Sequence, residues 1–206
     1  MPMIDHPAEL EEASRAALST RVPDEFDTLV DEFHRLQSAI SVGAPSMALC
    51  AEIAGELRSA TARLEQFRAP EEGRLSRRAD NFDQCHHPVL TPWVVVEIGD
   101  RHLVATVEFN DAHLGGPEAV HGGVITLFFD EFLGIFVGLQ TDPDTRTAYL
   151  KVDYRRVTPA NRKLTVTATI NSVEGRKTLI RGQLKDGDEL LAEAEGLFIR
   201  LRPDLG

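Results

Sequence analysis

Cysteine is scarce in this chain: Cys50 and Cys85 are the only two in 206 residues. One pair cannot make a disulfide framework, so the expected setting is a reducing cytoplasm. A targeting leader is not evident either. The opening Met-Pro-Met-Ile-Asp-His-Pro-Ala-Glu is acidic, with neither an apolar signal core nor an Arg-rich transit character. No internal repeat or low-complexity stretch occurs. The most apolar segment, Val124 to Leu139, is roughly 16 residues long against the ~20 of a comfortable membrane span, so no spanning helix is expected. Positive charge is also in short supply. Lys and Arg number 22 against 33 Asp and Glu, a formal net charge of -11, which argues against nucleic acid as the main partner.

The deficit sits at the front. Residues 1–72 hold 6 basic and 14 acidic side chains, whereas residues 73–206 hold 16 and 19. Within the second part, Lys151, Arg155, Arg156, Arg162 and Lys163 stand against Asp153. That local excess suits an anionic ligand or, equally, a solvated strand edge and turn.

What is present in quantity is one glycine-rich turn running into an apolar segment, Gly115-Gly-Pro-Glu-Ala-Val-His121-Gly-Gly-Val-Ile-Thr-Leu-Phe-Phe-Asp130-Glu131, continuing to Leu139. Val124, Leu127, Phe128, Phe132, Ile135 and Phe136 share one side of a helical projection, and Ile125, Phe129, Leu133 and Val137 cover much of the rest. A helix apolar on all sides is normally buried. Its only charges are Asp130 and Glu131, and a buried carboxylate is costly unless compensated, so an acid here is a candidate for chemistry. Thr126, one turn earlier, is a candidate partner that would make Asp130 merely structural. Glu131 points about 100° away around the helix and is the competing acid.

His121-Gly122-Gly123 falls where this helix begins. Glycines allow close approach to the backbone, and free N–H groups at a helix N-terminus carry partial positive charge. Together they suit a carbonyl oxygen that becomes anionic in a transition state. Asp130 is then ~12 Å further along the axis at 1.5 Å per residue. That is too far for both ends to touch one reacting carbonyl, so the expectation is a site shared between two copies of the chain.

Around this segment the pattern is mixed. Residues 1–22 read as a loosely helical leader. A helix is expected from Pro23-Asp24 on the spacing of Phe26, Leu29, Val30, Phe33, Leu36, Gln37 and Ile40, broken by Gly43-Ala-Pro45-Ser46. A second is expected from Met47 to about Phe67, and residues 68–92 read as loop. Cys85-His86-His87-Pro88 lacks a second ligand cluster, so no metal site is expected. From Trp93 the period becomes two. Trp93–Ile98 and His102–Phe109 form an expected hairpin, followed after the central helix by extended runs Thr147–Tyr154, Lys163–Asn171, Lys177–Lys185 and Glu189–Leu201. Thr158-Pro159-Ala-Asn161, Glu174-Gly175-Arg176 and Asp186-Gly187-Asp188 supply the turns. The reading is an α+β chain: an antiparallel sheet of about five or six strands curled around one central helix, with a helical extension at residues 1–80 and the sheet domain at 81–206.

His-Gly-Gly, six residues and then Asp in an apolar helix resembles the hotdog-fold thioesterase superfamily, in its phenylacetate-pathway (PaaI-like) branch. The preceding Leu114-Gly-Gly-Pro and the following Thr147-Ala-Tyr-Leu-Lys-Val-Asp-Tyr154-Arg-Arg-Val-Thr-Pro159 also match. The later Val173-Glu-Gly-Arg-Lys-Thr and Ala192-Glu-Ala-Glu-Gly-Leu-Phe are similar to animal thioesterase-superfamily-member proteins with an N-terminal extension. The resemblance covers roughly residues 85–202. It implies an acyl-CoA thioesterase that needs no cofactor and works as a homodimer, with pairing of dimers into tetramers as an open alternative. It implies an oxyanion donor at the Gly122 or Gly123 amide, with His121 shaping that turn or bonding the thioester. Asp130 would be general base or nucleophile, and Thr147 would help hold the water. Relatives often carry Asn six residues before the motif histidine, where this chain has Gly115; Asn110 and His113 are nearby substitutes. Arg155, Arg156, Asn161 and Arg176 are the implied CoA-phosphate partners. A non-catalytic acyl-CoA-binding or protein-interaction member of the same fold is the competing reading.

Overall fold

The computed structural model describes residues 25–77, 87–141 and 144–202. The expected leader, Cys85 and His86 lie outside these residues.

Alternating burial builds the sheet. In β1 (Trp93–Ile98) and β2 (His102–Glu108), Trp93, Val95, Leu103, Ala105 and Val107 point inward while Val94 and Val96 stay exposed, the period-two signature of a strand with one covered face. After the central helix, β5 (Thr145–Tyr154), β6 (Lys163–Glu174), β7 (Lys177–Asp186) and β8 (Glu189–Arg200) complete a six-stranded antiparallel sheet in the order β1-β2-β6-β7-β8-β5. Two-residue loops join β6 to β7 and β7 to β8, with Gly175 at φ 61° and Gly187 at φ 57°, a backbone region that glycine enters without penalty.

The central helix, α3 (Gly122–Gln140), lies across the inner face of this sheet, with α1 (Glu25–Val42) and α2 (Met47–Leu64) preceding the domain. Ile125, Phe128, Phe129, Phe132, Leu133, Phe136 and Val137 of α3 are buried. Phe128 is the hub, stacked on Phe132 at 5.5 Å and edge-on to Phe109 and Trp93. At Gly182 on β7, a Cβ would come within 2.9 Å of the Phe129 ring and 3.1 Å of Leu133; the missing side chain lets α3 settle onto the strand. A sheet wrapped around one long helix is the hotdog fold, here carrying an N-terminal helical extension.

Four details differ from the sequence reading. At 19 residues and a mean hydropathy of 1.7, α3 is long and apolar enough to cross a membrane by length and composition, where roughly 16 residues were expected; its aromatic face is nevertheless packed into this chain's own core. Nor is α3 buried all round: Leu127 is 40% exposed and Asp130 is half-buried, because the sheet covers only one side of the helix. The glycine-rich turn itself folds into a small hairpin, β3 (Leu114–Gly116) with β4 (Ala119–Val120), preceded by a 3-10 turn at Asp111–His113. The segment read as loop after residue 68 likewise holds 3-10 turns at Glu71–Gly73 and Leu75–Arg77.

Helix α1 packs on the Asp111–His113 turn. Val30 is buried, and Ser38 Oγ donates to Asp111 Oδ2 at 3.4 Å. Ser46 caps α2 by accepting from the Leu49 amide, a standard N-cap. No residue of α2 is buried.

Candidate active site

His121 sits at the N-cap of α3 with extended backbone, and its Nδ1 accepts from the Gly123 amide at 2.9 Å. The ring proton therefore resides on Nε2. This settles which glycine amide is engaged: Gly123 N–H is taken by the ring, and the Val124 and Ile125 amides return to the His121 carbonyl. Gly122 N–H has no such partner among the described residues, and it carries the unsatisfied donor character of a helix start.

Tyr154, the last residue of β5, holds the same turn from the other side. Its hydroxyl donates to the Gly122 carbonyl at 2.8 Å and meets Thr126 Oγ1 at 2.7 Å, while Thr126 also donates to Gly122 O at 3.1 Å. Thr126 is thus committed to the helix start and is not the partner of Asp130.

That partner is Thr147, whose Oγ1 donates to Asp130 Oδ1 at 2.8 Å. A β-bulge between Thr147 and Tyr149 shifts the β5 register against β8 at this point, and bulges re-aim the side chains beside them. Asp130 Oδ2 is left for another hydrogen bond. The carboxylate is half-buried on the uncovered side of α3, facing edge strand β5, and not sealed in the core as the apolar pattern suggested. Glu131, one position on, is also half-exposed.

The turn carrying the two polar substitutes abuts the helix start. His121 N–H donates to the His113 carbonyl at 2.8 Å. Asn110 Oδ1 caps the 3-10 turn through the Ala112 amide, and His113 Nδ1 accepts from the Asn110 amide at 3.0 Å. Burial, with a smaller contribution from His34 of α1, lowers the His113 pKa below its usual value. At Gly115, a Cβ would lie 2.7 Å from His121 Cα and 2.8 Å from its Cβ. An asparagine at 115 would collide with the motif histidine, so this departure from the family pattern has a steric cause.

The implied phosphate partners lie elsewhere and are already engaged. Arg155 holds Glu193 at 2.9 Å, Arg156 holds Glu189 at 3.1 Å, Lys151 holds Asp153 at 2.9 Å, and Arg162 pairs with Asp186. Three of the four positive charges in excess along residues 151–163 are offset in space by carboxylates from β7 and β8. Asn161 (φ 56°) donates to Asp111 Oδ1 at 2.6 Å, as part of the turn scaffold. Arg176 donates to the Arg200 carbonyl at the opposite end of β8 from Arg155. One phosphate group cannot be gripped by all of them within a single chain.

Comparison with known proteins places this geometry. The thioesterase superfamily model matches residues 118–193, from just before His121 to Glu193. That match covers 76 of the 206 residues and makes the central helix and the strands after it similar to the thioesterase superfamily. The chain is similar to acyl-coenzyme A thioesterase THEM4 of Bos taurus, 32% identical over 92 residues, which is 44% of this chain and 37% of that protein. The Rattus norvegicus protein of the same name is 34% identical over 95 residues, 45% and 40% of the two chains. The matched stretch thus spans about two fifths of these relatives. A crystal structure of a protein described as belonging to the thioesterase superfamily superposes with a TM-score of 0.71 at 28% identity, covering 87% of this chain and 97% of the other. That coverage exceeds what residues 81–206 alone can supply, so part of the helical extension is a shared feature.

The stretch that matches the thioesterase superfamily model contains His121, Gly122, Gly123, Asp130, Thr147 and Tyr154, whereas Asn110 and His113 precede it. Sequence reasoning missed Tyr154 as a site residue. The one available signal was its place at the end of the strand that begins beside Thr147; nothing local shows a strand tyrosine reaching a helix start 32 residues away.

Proposed function

We propose that this protein hydrolyses acyl-CoA thioesters, with Asp130 as the group that activates water or attacks the carbonyl directly. The Thr147–Asp130 hydrogen bond carries this reading: it fixes one carboxylate oxygen, and among the described residues no hydrogen bond engages the other. In the general-base form, Asp130 Oδ2 takes a proton from water and the oxygen adds to the thioester carbonyl carbon. The resulting oxyanion receives the Gly122 N–H, and collapse breaks the C–S bond to release the thiol, reprotonated from Asp130. In the nucleophilic form, the carboxylate adds first, the C–S bond breaks and the thiolate leaves to take a proton from solvent; water then cleaves the mixed anhydride, releasing the acid and restoring the carboxylate.

Helix rise separates Gly122 from Asp130 by ~12 Å, so each reacting centre draws its amide from one copy of the chain and its carboxylate from the other. The unpaired edge of β5 and the exposed Leu127, Tyr149 and Tyr154 beside it support this face as the meeting surface. Asp130→Asn retains an acceptor for Thr147 and is expected to lower hydrolysis of an acyl-CoA panel by about 10²–10⁴-fold with the assembly intact. An unchanged rate overturns the proposal. Micromolar acyl-CoA binding without thiol release by the unmodified protein would instead establish the non-catalytic reading.

A further inference from the structure

Helix α2 carries a second apolar pattern that the proposed reaction does not use. Cys50, Ile53, Leu57, Ala60, Leu64 and Phe67 recur at alternating steps of three and four, the a and d positions of a heptad repeat. The last of them lies in the 3-10 turn Glu65–Phe67 that continues the helix, where i and i+3 eclipse and keep Phe67 in line with Leu64. None of this seam is buried in the chain: Leu57 is 39%, Leu64 57% and Phe67 79% exposed.

The flanking charges say what covers it. In this register Glu56 and Arg63 both occupy g positions, seven residues apart on one flank, and among the described residues neither has an ion-pair partner. The other flank, at e, holds the small uncharged Ala54 and Thr61. In a parallel pair, g faces e of the next heptad, which sets Glu56 against Thr61 and leaves Arg63 opposite position 68, where the chain has already left the helix, so neither charge gains a partner. In an antiparallel pair g faces g, which sets Glu56 against Arg63 twice, once on each side of the twofold axis.

We propose that α2 pairs antiparallel with α2 of a second copy of this chain. The twofold axis passes between Arg58 and Ser59, Cys50 faces Phe67, Ile53 faces Leu64 and Leu57 faces Ala60. This contact is independent of the β5 face, so it survives or fails separately from the thioesterase reading.

The full chain bearing Cys85→Ser and Phe67→Cys tests it by mild oxidation and non-reducing electrophoresis. A disulfide-linked dimer is expected, lost when Cys50→Ser is added, because equivalent cysteines of the two copies would lie ~25 Å apart along the pair. A Cys50–Cys50 dimer from the Cys85→Ser chain alone, or no covalent dimer when both cysteines are present, overturns the antiparallel register. Glu56→Arg is expected to slow cross-linking about tenfold through two like-charge contacts, and Glu56→Arg with Arg63→Glu to restore it. A rate indifferent to both changes also overturns the proposal. Cys50, Glu56, Arg63 and Phe67 are all unburied residues of α2 or its terminal turn, and the Cys85→Ser chain serves as the common background whose melting curve checks that the fold is kept.

Discussion

Thr147 has one hydroxyl proton, and the hydrogen bond to Asp130 uses it. Thr147→Ala should therefore free the carboxylate to rotate, and kcat is expected to fall by about tenfold or more, with Thr147→Ser restoring most of it. Tyr154 acts at one remove. Tyr154→Phe deletes the bond to Gly122 O and the hydroxyl contact with Thr126, which is expected to cost about 1 kcal/mol of stability in a denaturant titration. It should also lower kcat more than it raises KM, since the Gly122 amide is then less well aimed. His113 predicts a pH effect. Its folded pKa lies below the unfolded value of about 6.5, so the unfolded chain takes up the proton first. The neutral ring's contribution is complete above that value and is lost as pH falls through the window below it. The same proton would occupy Nδ1, the atom accepting from the Asn110 amide. Melting curves between pH 7.5 and 5 should show His113→Gln flattening this slope. The places of His121 and Gly122 at the helix start and of Asp130 within the helix were legible in the sequence because their spacing is local. Asp130's actual partner and Tyr154's role were not, since both depend on where β5 lies against α3.

At the scale of elements, the four C-terminal strand runs could be read because their turns announce themselves with Gly, Asp and Asn, and because each strand buries alternate residues. The observed strands extend those runs: β6 reaches Glu174 and β5 starts at Thr145. The β3–β4 hairpin was invisible, since two or three residues offer no periodicity to detect. The face of α3 that stays open was equally hidden. Leu127 is as apolar as the residues beside it, and only the curvature of the sheet decides which of them is covered. Sheet and helix meet closely at Gly182, so Gly182→Val should overpack Phe129 and Leu133 and destabilise the fold by about 1–3 kcal/mol, measured by thermal or urea unfolding.

Over the whole molecule, the formal charge of -11 opposes the approach of a CoA ester, whose phosphates are also negative. Of the arginines expected to offset this, Arg155 and Arg156 are paired with Glu193 and Glu189 while Arg176 meets only a backbone carbonyl, and neighbouring Arg162 is paired with Asp186, so the local attraction is much reduced. Raising ionic strength from about 0.01 to 0.15 M shortens the Debye length from about 30 to 8 Å, and kcat/KM for an acyl-CoA is expected to rise across that range. A fall would mean that a second chain contributes an unpaired basic patch.

The contact between Gly115 and His121 bears on redesign. Because the two backbones touch with no room for a Cβ, residue 115 cannot be exchanged on its own for the asparagine that relatives carry. A graft from another family member must bring residues 110–121 as one piece, together with a helix surface shaped to receive the new turn where α1 now rests. Compatibility between donor and host is therefore decided by the whole loop and its buttress, not by the single letter that distinguishes the motif.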